Sequence, residues 1–401
     1  MSELKRCTRC TIPETHETIS FDDQGVCNIC RQHEHKKETI DWQQREVELR
    51  ELLDSYRGKY DYDCIVPFSG GKDSTWTLYV LMKQYHLKPL VVSFDHGFYR
   101  PTLEENNRRT FRKLGVDVLK FTPNWIIVQK LMRESLLRKG DFCWHCHTGI
   151  FSYPMHIAIK FNVPVVIWGE PSAEYTSYYG YDDGIEEVNE ERFNRFVNLG
   201  ITAQDMVGML DESVRERDLL PYTYPPLKEL KRIKYRSFCL GSFLPWDVKK
   251  QVGIIKEELG WQEEEVEGVP PGYGYEKIEC AMQGVRDYLK YIKRGYARTS
   301  HLTSIDIRNG RLTREKAMEL VKEYEGKKPA SLDVFLEYVG MSEEEFNRIA
   351  TSHWVHPSQV DPHSLEKGKE DWDQVLWYRE SHPERSLKEN LDACERRKAE
   401  K

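Results

Sequence analysis

A chain of 401 residues with 39% hydrophobic and 31% charged residues is long enough to bury a substantial core in two or three domains. Its net charge of −7 speaks against an extended nucleic-acid footprint, so no nucleic-acid partner is expected. No run of about eighteen apolar residues exists to cross a bilayer, and the start Met1-Ser-Glu-Leu-Lys-Arg-Cys has no apolar signal core, which predicts a cytoplasmic enzyme without membrane insertion.

Residues 1–40 read as a small cysteine-rich module. Cys7-x-x-Cys10 and Cys27-x-x-Cys30 have the spacing of a four-thiolate structural zinc site, with a turn at Asp23-Gln24-Gly25 between the pairs. So small a module has too little core to fold without such a staple, and four thiolates leave the ion no open position. His16, His33 and His35 read as solvated polar residues. A polar helical connector at 41–60 follows, with Val47, Leu49, Leu52 and Leu53 placed to dock on the next domain.

From residue 61 to 240 strands alternate with helices. Tyr62–Phe68, Leu90–Asp95, Val116–Phe121 and Val163–Trp168 read as strands, which implies a parallel α/β sheet with right-handed crossovers. After the first strand comes Ser69-Gly70-Gly71-Lys72-Asp73-Ser74. Two glycines let the backbone approach an anion, and the helix from Asp73 to about Tyr85 turns its N-terminal amides and dipole toward bound phosphate. The run lacks the Gly-x-x-x-x-Gly-Lys-Ser/Thr spacing of kinases and GTPases. It therefore points to ATP split into AMP and pyrophosphate. Ser69, Gly70, Gly71, Asp73 and Ser74 are candidate ATP ligands, with Lys72 adding charge. Asp95 and His96 fall at the end of the second strand, where such sheets bind ligands. Asp73 and Asp95 are candidates for Mg²⁺, or alternatively for turn and cap roles. Glu170 and Glu174, after the fourth strand, are candidates to orient substrate or take protons from an attacking amine.

Cys143-Trp-His-Cys146 has no second pair nearby; Cys239 is the candidate third member. Three thiolates with an open position suit a [4Fe-4S] cluster. Zinc with His145 or His147, a redox dithiol, and a structural pair with Cys239 in the core are the alternatives. Cys64, Cys280 and Cys394 read as spectators. Residues 175–224, with Tyr175, Tyr178, Tyr179 and Tyr181, read as an insertion beside the active site, and Lys228–Arg236 as a solvated basic helix face. From 241 to 401 the chain reads as mainly helical, with caps at Thr313 and Ser342 and a strongly charged tail from about 360.

With Cys-Thr-Arg-Cys-Thr, Cys-Asn-Ile-Cys, Pro-Phe-Ser-Gly-Gly-Lys-Asp-Ser-Thr and Ile-Trp-Gly-Glu-Pro-Ser-Ala-Glu-Tyr in place, the chain resembles the N-acetyl sugar amidotransferases of the PP-loop ATP pyrophosphatase superfamily. The resemblance covers about residues 5 to 350. It implies an adenine nucleotide α-hydrolase-like domain beside a zinc-ribbon-like module and a helical C-terminal region. It further implies conversion of an acetamido to an acetamidino group in surface-polysaccharide biosynthesis, using ATP, Mg²⁺ and Zn²⁺. Gly169-Glu170-Pro171 departs from the family's Gly-Glu-Asn-Pro. The chain has no cysteine in the setting of a triad glutaminase, and the resemblance implies a separate glutaminase and a cyclase-like ammonia-channel protein as partners. The pattern at 143, 146 and 239 is similar instead to cluster-dependent tRNA thiolases, so a PP-loop sulfurtransferase is the second enzyme reading. A nucleotide-binding scaffold without chemistry is the third.

Overall fold

A computed structural model describes residues 4–169, 190, 193–355 and 365–366. Five strands form one parallel sheet: β1 (Cys64–Pro67), β2 (Pro89–Phe94), β3 (Asp117–Phe121), β4 (Val165–Trp168) and β5 (Arg236–Cys239), in the order β3-β2-β1-β4-β5. β1, β2 and β4 are buried along their whole length, as expected of strands covered on both faces by helices. Every predicted strand is present. β4 starts after Pro164, which has no amide for the ladder; its carbonyl instead accepts the Arg236 amide at 2.8 Å. β5 is the addition, paired with β4 from Val165↔Arg236 to Trp168↔Cys239.

The chain runs outward from β1 through β2 to β3, then returns to lay β4 on the other side of β1. The crevice between the carboxyl ends of β1 and β4 is therefore a topological switch point, the ordinary ligand position of such sheets. Helix α3 (Lys72–Lys83) begins there, directly after the Ser69–Gly71 turn.

Helix α1 (Asn28–Thr39) leaves the second cysteine pair, and α2 (Trp42–Asp54) is the connector. Asp41 caps α2 by accepting from the Gln43 and Gln44 amides, a contribution of about 1 kcal/mol. Leu49 and Leu53 are buried against the sheet's core cluster with Leu52 packed beside them, whereas Val47 faces solvent. Helices α4 (Pro101–Leu114), α5 (Trp125–Lys139) and α6 (Trp144–Phe161) complete the nucleotide half. The described part of 175–224 is a packed element: a π-helical turn Phe193–Val197 lies against α6, and the helices Ala203–Met209 and Glu216–Tyr222 close an apolar cluster over Phe94, Leu131 and Trp144. Tyr175, Tyr178, Tyr179 and Tyr181, like Cys394, lie outside the described residues. Lys228, Lys231 and Arg232 are exposed on the short helix Leu227–Arg232, a solvated face as expected, but the helix ends there and Arg236, expected on the same face, opens β5.

The C-terminal half is helical, through Val248–Leu259, Gln283–Arg294, Arg298–Arg308, Arg314–Tyr324, Ser331–Val339 and Glu343–Ser352. Thr313 and Ser342 cap their helices by accepting from Lys316 and Glu345 amides. No described helix is long and apolar enough to cross a membrane.

Candidate functional site

The phosphate loop owes its shape to hydroxyls and one strained glycine. Gly70 has φ +88°, open to glycine and costly for any other residue. A Cβ there would also lie 2.2 Å from Asn107 Oδ1. The Gly70 amide donates to Ser74 Oγ at 3.1 Å and the Gly71 amide to Ser69 Oγ at 3.3 Å, while the two serine oxygens sit 3.3 Å apart. Gly71 is the N-cap of α3 without a side-chain cap, so the first amides of the helix are left for an anion. The structure thus brings Ser69, Gly70, Gly71, Lys72, Asp73 and Ser74 into one turn at the switch point.

Asp73 and Asp95 divide in role. Asp95 is 1% exposed and fully engaged: Lys120 Nζ lies 2.9 Å away, the Gly97 amide donates at 3.0 Å and Thr122 Oγ1 at 3.3 Å. It holds the turn after β2. Asp73 shares one oxygen with Lys72 Nζ at 2.7 Å, while its other oxygen, Oδ1, is buried without a hydrogen-bond partner. A divalent cation fits that oxygen, so Asp73 is the carboxylate of the two suited to Mg²⁺. His96 is buried; its Nδ1 accepts from the Phe98 amide at 3.3 Å, and burial lowers its pKa, so it is a neutral ring at neutral pH. Glu170 and Glu174 lie outside the described residues.

Sequence reasoning missed the C-terminal side of the site. Lys72 Nζ lies 2.9 Å from Glu276 Oε2, both side chains nearly fully buried. Burial pushes the Glu276 carboxyl up, but Lys72, Lys277 and Arg298 outweigh it and bring it down to about 2. Arg298 approaches Glu276 and Asp287 at 3.4 Å each. Trp261 Nε1 donates to the Gly70 carbonyl at 3.3 Å, and a Cβ on Gly71 would lie 3.0 Å from Glu279 Oε2. Three C-terminal side chains therefore bear on one phosphate loop. Only the acidic and aromatic composition near 261–279 could have hinted at this.

Beside the loop, on the face of α4, a cavity of about 300 Å³ is lined by Asn107, Arg108, Arg112, Tyr99 and Lys120 among others. Asn107 is shared between this cavity and the Gly70 turn.

The N-terminal module is a metal centre in geometry. The sulfurs of Cys7, Cys10, Cys27 and Cys30 all lie within 4.8 Å of one another and are buried, Cys10 and Cys27 at 3.8 Å, the edge length expected around an ion with Zn–S bonds of about 2.3 Å. Amides of Cys10 and Cys27 donate to Cys7 Sγ at 3.4 and 3.2 Å. Side-chain hydrogen bonds from Cys10, Cys27 and Cys30 pull the Cys7 thiol well below its usual value. The residues fit zinc, and among the described residues this is where cysteine, histidine or acidic ligands gather that tightly. Contrary to expectation, His16 is buried and packs on Tyr296 with ring centres 5.8 Å apart. The module is bolted to the C-terminal helices: Thr11 Oγ1 donates to the Ser300 carbonyl at 2.7 Å, and Arg314 Nε to the Cys7 and Cys10 carbonyls at 3.2 Å each.

Cys143, Cys146 and Cys239 do not form a comparably tight group. Cys239 ends β5 in the apolar layer between the sheet and α6, with Val166 and Ile157. Cys143 and Cys146 border a different cluster, together with Cys280.

Comparison with known proteins adds the following. Residues 271–375 match the family described as LPS biosynthesis protein WbpG-like, C-terminal domain. The uncharacterized protein MJ1599 of Methanocaldococcus jannaschii is 26% identical over 168 residues, 41% of this chain and 58% of that protein, so the chain spans under two thirds of this relative. Among solved structures, the U34-tRNA thiolase NcsA from Methanococcus maripaludis with its [4Fe-4S] cluster is similar at 11% identity, covering 81% of this chain and 90% of that one, with a TM-score of 0.30. NMN synthetase from Francisella tularensis is similar at 10% identity, covering 58% and 100%, with a TM-score of 0.24. Neither score is high enough to bear on fold or chemistry.

Proposed function

We propose, from a WbpG-like C-terminal domain packed on an ATP-splitting phosphate loop, that the chain is an ATP-dependent amidotransferase of lipopolysaccharide biosynthesis, acting on the acetamido group of a sugar. The observation that carries this reading is the reach of Glu276 and Glu279, both within the matched domain, onto Lys72 and Gly71. Carboxylates of the matched domain reaching the phosphate loop support a part for that domain in the chemistry.

An unactivated amide resists ammonia because its oxygen leaves poorly. In the proposed reaction the acetamido oxygen attacks the α-phosphorus of ATP and pyrophosphate departs. Ammonia then adds to the O-adenylyl imidate carbon, AMP leaves with the oxygen, and a base removes the surplus proton, giving the acetamidino group. The amides of Gly70 and Gly71, the hydroxyls of Ser69 and Ser74, and Lys72 would hold the phosphates. Mg²⁺ at Asp73 Oδ1 would neutralise charge on the departing pyrophosphate. Glu170 and Glu174 remain the proposed proton acceptors. The cavity beside Asn107 has Arg108 and Arg112 at its wall, with Glu104 held by Lys120, and the two arginines suit a phosphate-bearing sugar carrier as acceptor. Ammonia is proposed to come from a separate glutaminase through a cyclase-like channel protein, in the cytoplasm.

That Cys143, Cys146 and Cys280 border one apolar cluster supports one other reading, transfer of sulfur to an adenylated oxygen. The test is pyrophosphate release by anaerobically purified protein given MgATP, ammonium and a panel of acetamido sugar nucleotides, with product masses recorded. A product with NH in place of O supports amidotransfer. Release that depends on a sulfur donor instead overturns it.

A further inference from the structure

We propose that Glu276 is a positioning residue for the divalent cation of the phosphate loop: it holds the Lys72 ammonium on one oxygen of Asp73 and so keeps the other, Oδ1, open to the metal that accompanies ATP. This deepens the reading above and rests on its magnesium nucleotide, whatever the acceptor.

Lys72 is the first residue of α3, at the positive end of the helix dipole, where an ammonium is disfavoured. A lysine there would ordinarily carry its charged head into water. Its side chain is instead 6% exposed, with Asp73 Oδ2 at 2.7 Å and Glu276 Oε2 at 2.9 Å. Asp73 is the next residue in the chain, so that contact is local, and a flexible stem ending in rotatable donors can reach either of its oxygens. Glu276 comes from the far half of the chain, and its direction is fixed. Its amide donates to the Tyr273 carbonyl at 2.9 Å. The next residue, Lys277, takes φ +56°, a left-handed conformation costly for a residue with a side chain. Two backbone ties hold this turn against the nucleotide half: Arg100 Nη1 donates to the Lys277 carbonyl at 3.2 Å, and the Ala281 amide to the Phe98 carbonyl at 2.8 Å. Lys72 is thereby drawn to the Oδ2 side of Asp73.

The charges support the same assignment. Asp287, Arg298, Glu276, Lys72 and Asp73 form a largely buried row of alternating sign, with Arg298 at 3.4 Å from both Asp287 and Glu276. Three carboxylates face two cations, so the row carries one negative charge in excess. Lys277 and Glu279 lie beside it as a pair, 3.6 Å apart, and leave that balance as it is. The row ends at Asp73 Oδ1, which is buried without a hydrogen-bond partner. A buried charge left in this way calls for a counter-ion, and a divalent cation there continues the alternation onto the phosphates. An ammonium folded over Asp73 would take the same oxygen, which is what the pull of Glu276 prevents. Outer partners of this kind set metal affinity through the ligand they orient.

The experiment measures, by calorimetry, the affinity of the full-length protein for α,β-methylene ATP with saturating Mg²⁺ and in metal-depleted buffer free of chelator. The wild type is expected to bind the magnesium form more tightly. Glu276→Gln should weaken binding of that form by about ten- to a hundredfold and leave the metal-free affinity nearly unchanged, a split that a merely structural role would not give. Because Glu276→Gln strands the buried Lys72, Lys72→Met/Glu276→Gln supplies a second reading: losing both partners is better tolerated than losing one. With no ammonium to compete for Asp73, the double variant should recover the magnesium preference of the wild type. Four results would overturn the positioning role and leave the amidotransferase reading in place: no magnesium preference in the wild type, an unchanged affinity for the magnesium form in Glu276→Gln, equal losses with and without Mg²⁺ in that variant, or a double variant without the preference. A wild type that binds the analogue in neither condition would overturn that reading as well.

Discussion

The ammonium of Lys72, in the phosphate loop, lies 2.9 Å from the carboxylate of Glu276, a residue of the C-terminal domain. Both are nearly fully buried, so neither charge is left to water, and removing one partner strands the other. The pair joins two halves of the chain at the point where triphosphate is expected.

An acid dependence follows from Glu276. Its folded pKa is depressed from 4.5 to about 2, so its stabilisation is complete above about pH 4.5 and is lost as pH falls through about 2. The shift corresponds to about 3 kcal/mol. Glu276→Gln should lower stability at pH 7 by an amount of that order and flatten the pH dependence between 4.5 and 2. Urea unfolding at several pH values measures this; an unchanged acid limb in the variant would remove Glu276 from the network.

Asp73→Ala and Ser69→Ala should each abolish acceptor-dependent pyrophosphate release, a loss of at least about a hundredfold, with zinc content and circular dichroism unchanged. Asp73→Ala also releases Lys72 Nζ from Asp73 Oδ2, 2.7 Å away, but Lys72 keeps Glu276 at 2.9 Å, so the fold is expected to hold. Wild-type turnover in either variant would remove the loop from the chemistry.

What the sequence made legible is what it encodes locally. Three of the four predicted strands are runs of buried apolar residues and the fourth, Asp117–Phe121, mixes apolar and charged residues at the sheet edge; the phosphate loop is six consecutive positions, and the cysteine module is two pairs at fixed spacing. β5 escaped because Arg236–Cys239 is four residues long and defined by its pairing with β4. Glu276, Glu279 and Trp261 escaped because each matters through a contact with a residue far away in the chain. Asp95 looked equivalent to Asp73 as a carboxylate after a strand, and only the placing of Lys120 and Thr122 separates them.

Zinc removal should be felt at the nucleotide. The module holds the helix Arg298–Arg308 through Thr11 to the Ser300 carbonyl and to Thr303 Oγ1, and Arg298 of that helix pairs with Glu276. A strong chelator, or Cys7→Ser, is expected to lower the melting temperature by several degrees and to weaken binding of a non-hydrolysable ATP analogue. Unaltered analogue affinity with zinc fully removed would show that the module's docking does not reach Lys72.

The two glycines of the loop should fail for different reasons. Gly70 sits at φ +88° with Asn107 Oδ1 in the place of a side chain, so Gly70→Ala is strained whatever surrounds it, by about 1–3 kcal/mol. Gly71 has φ −65°, an ordinary value, and its only tight neighbour is the flexible end of Glu279 at 3.0 Å. Gly71→Ala should therefore weaken binding of the ATP analogue by about 1 kcal/mol, by displacing Glu279 and not by bending the backbone. In a double-mutant cycle, Glu279→Ala should cancel most of the Gly71→Ala penalty and none of the Gly70→Ala penalty. Calorimetric titration of the wild type, the three single variants and the two double variants decides it, and an equal loss in Gly71→Ala with and without Glu279 would show that the carboxylate does not close over the loop in solution.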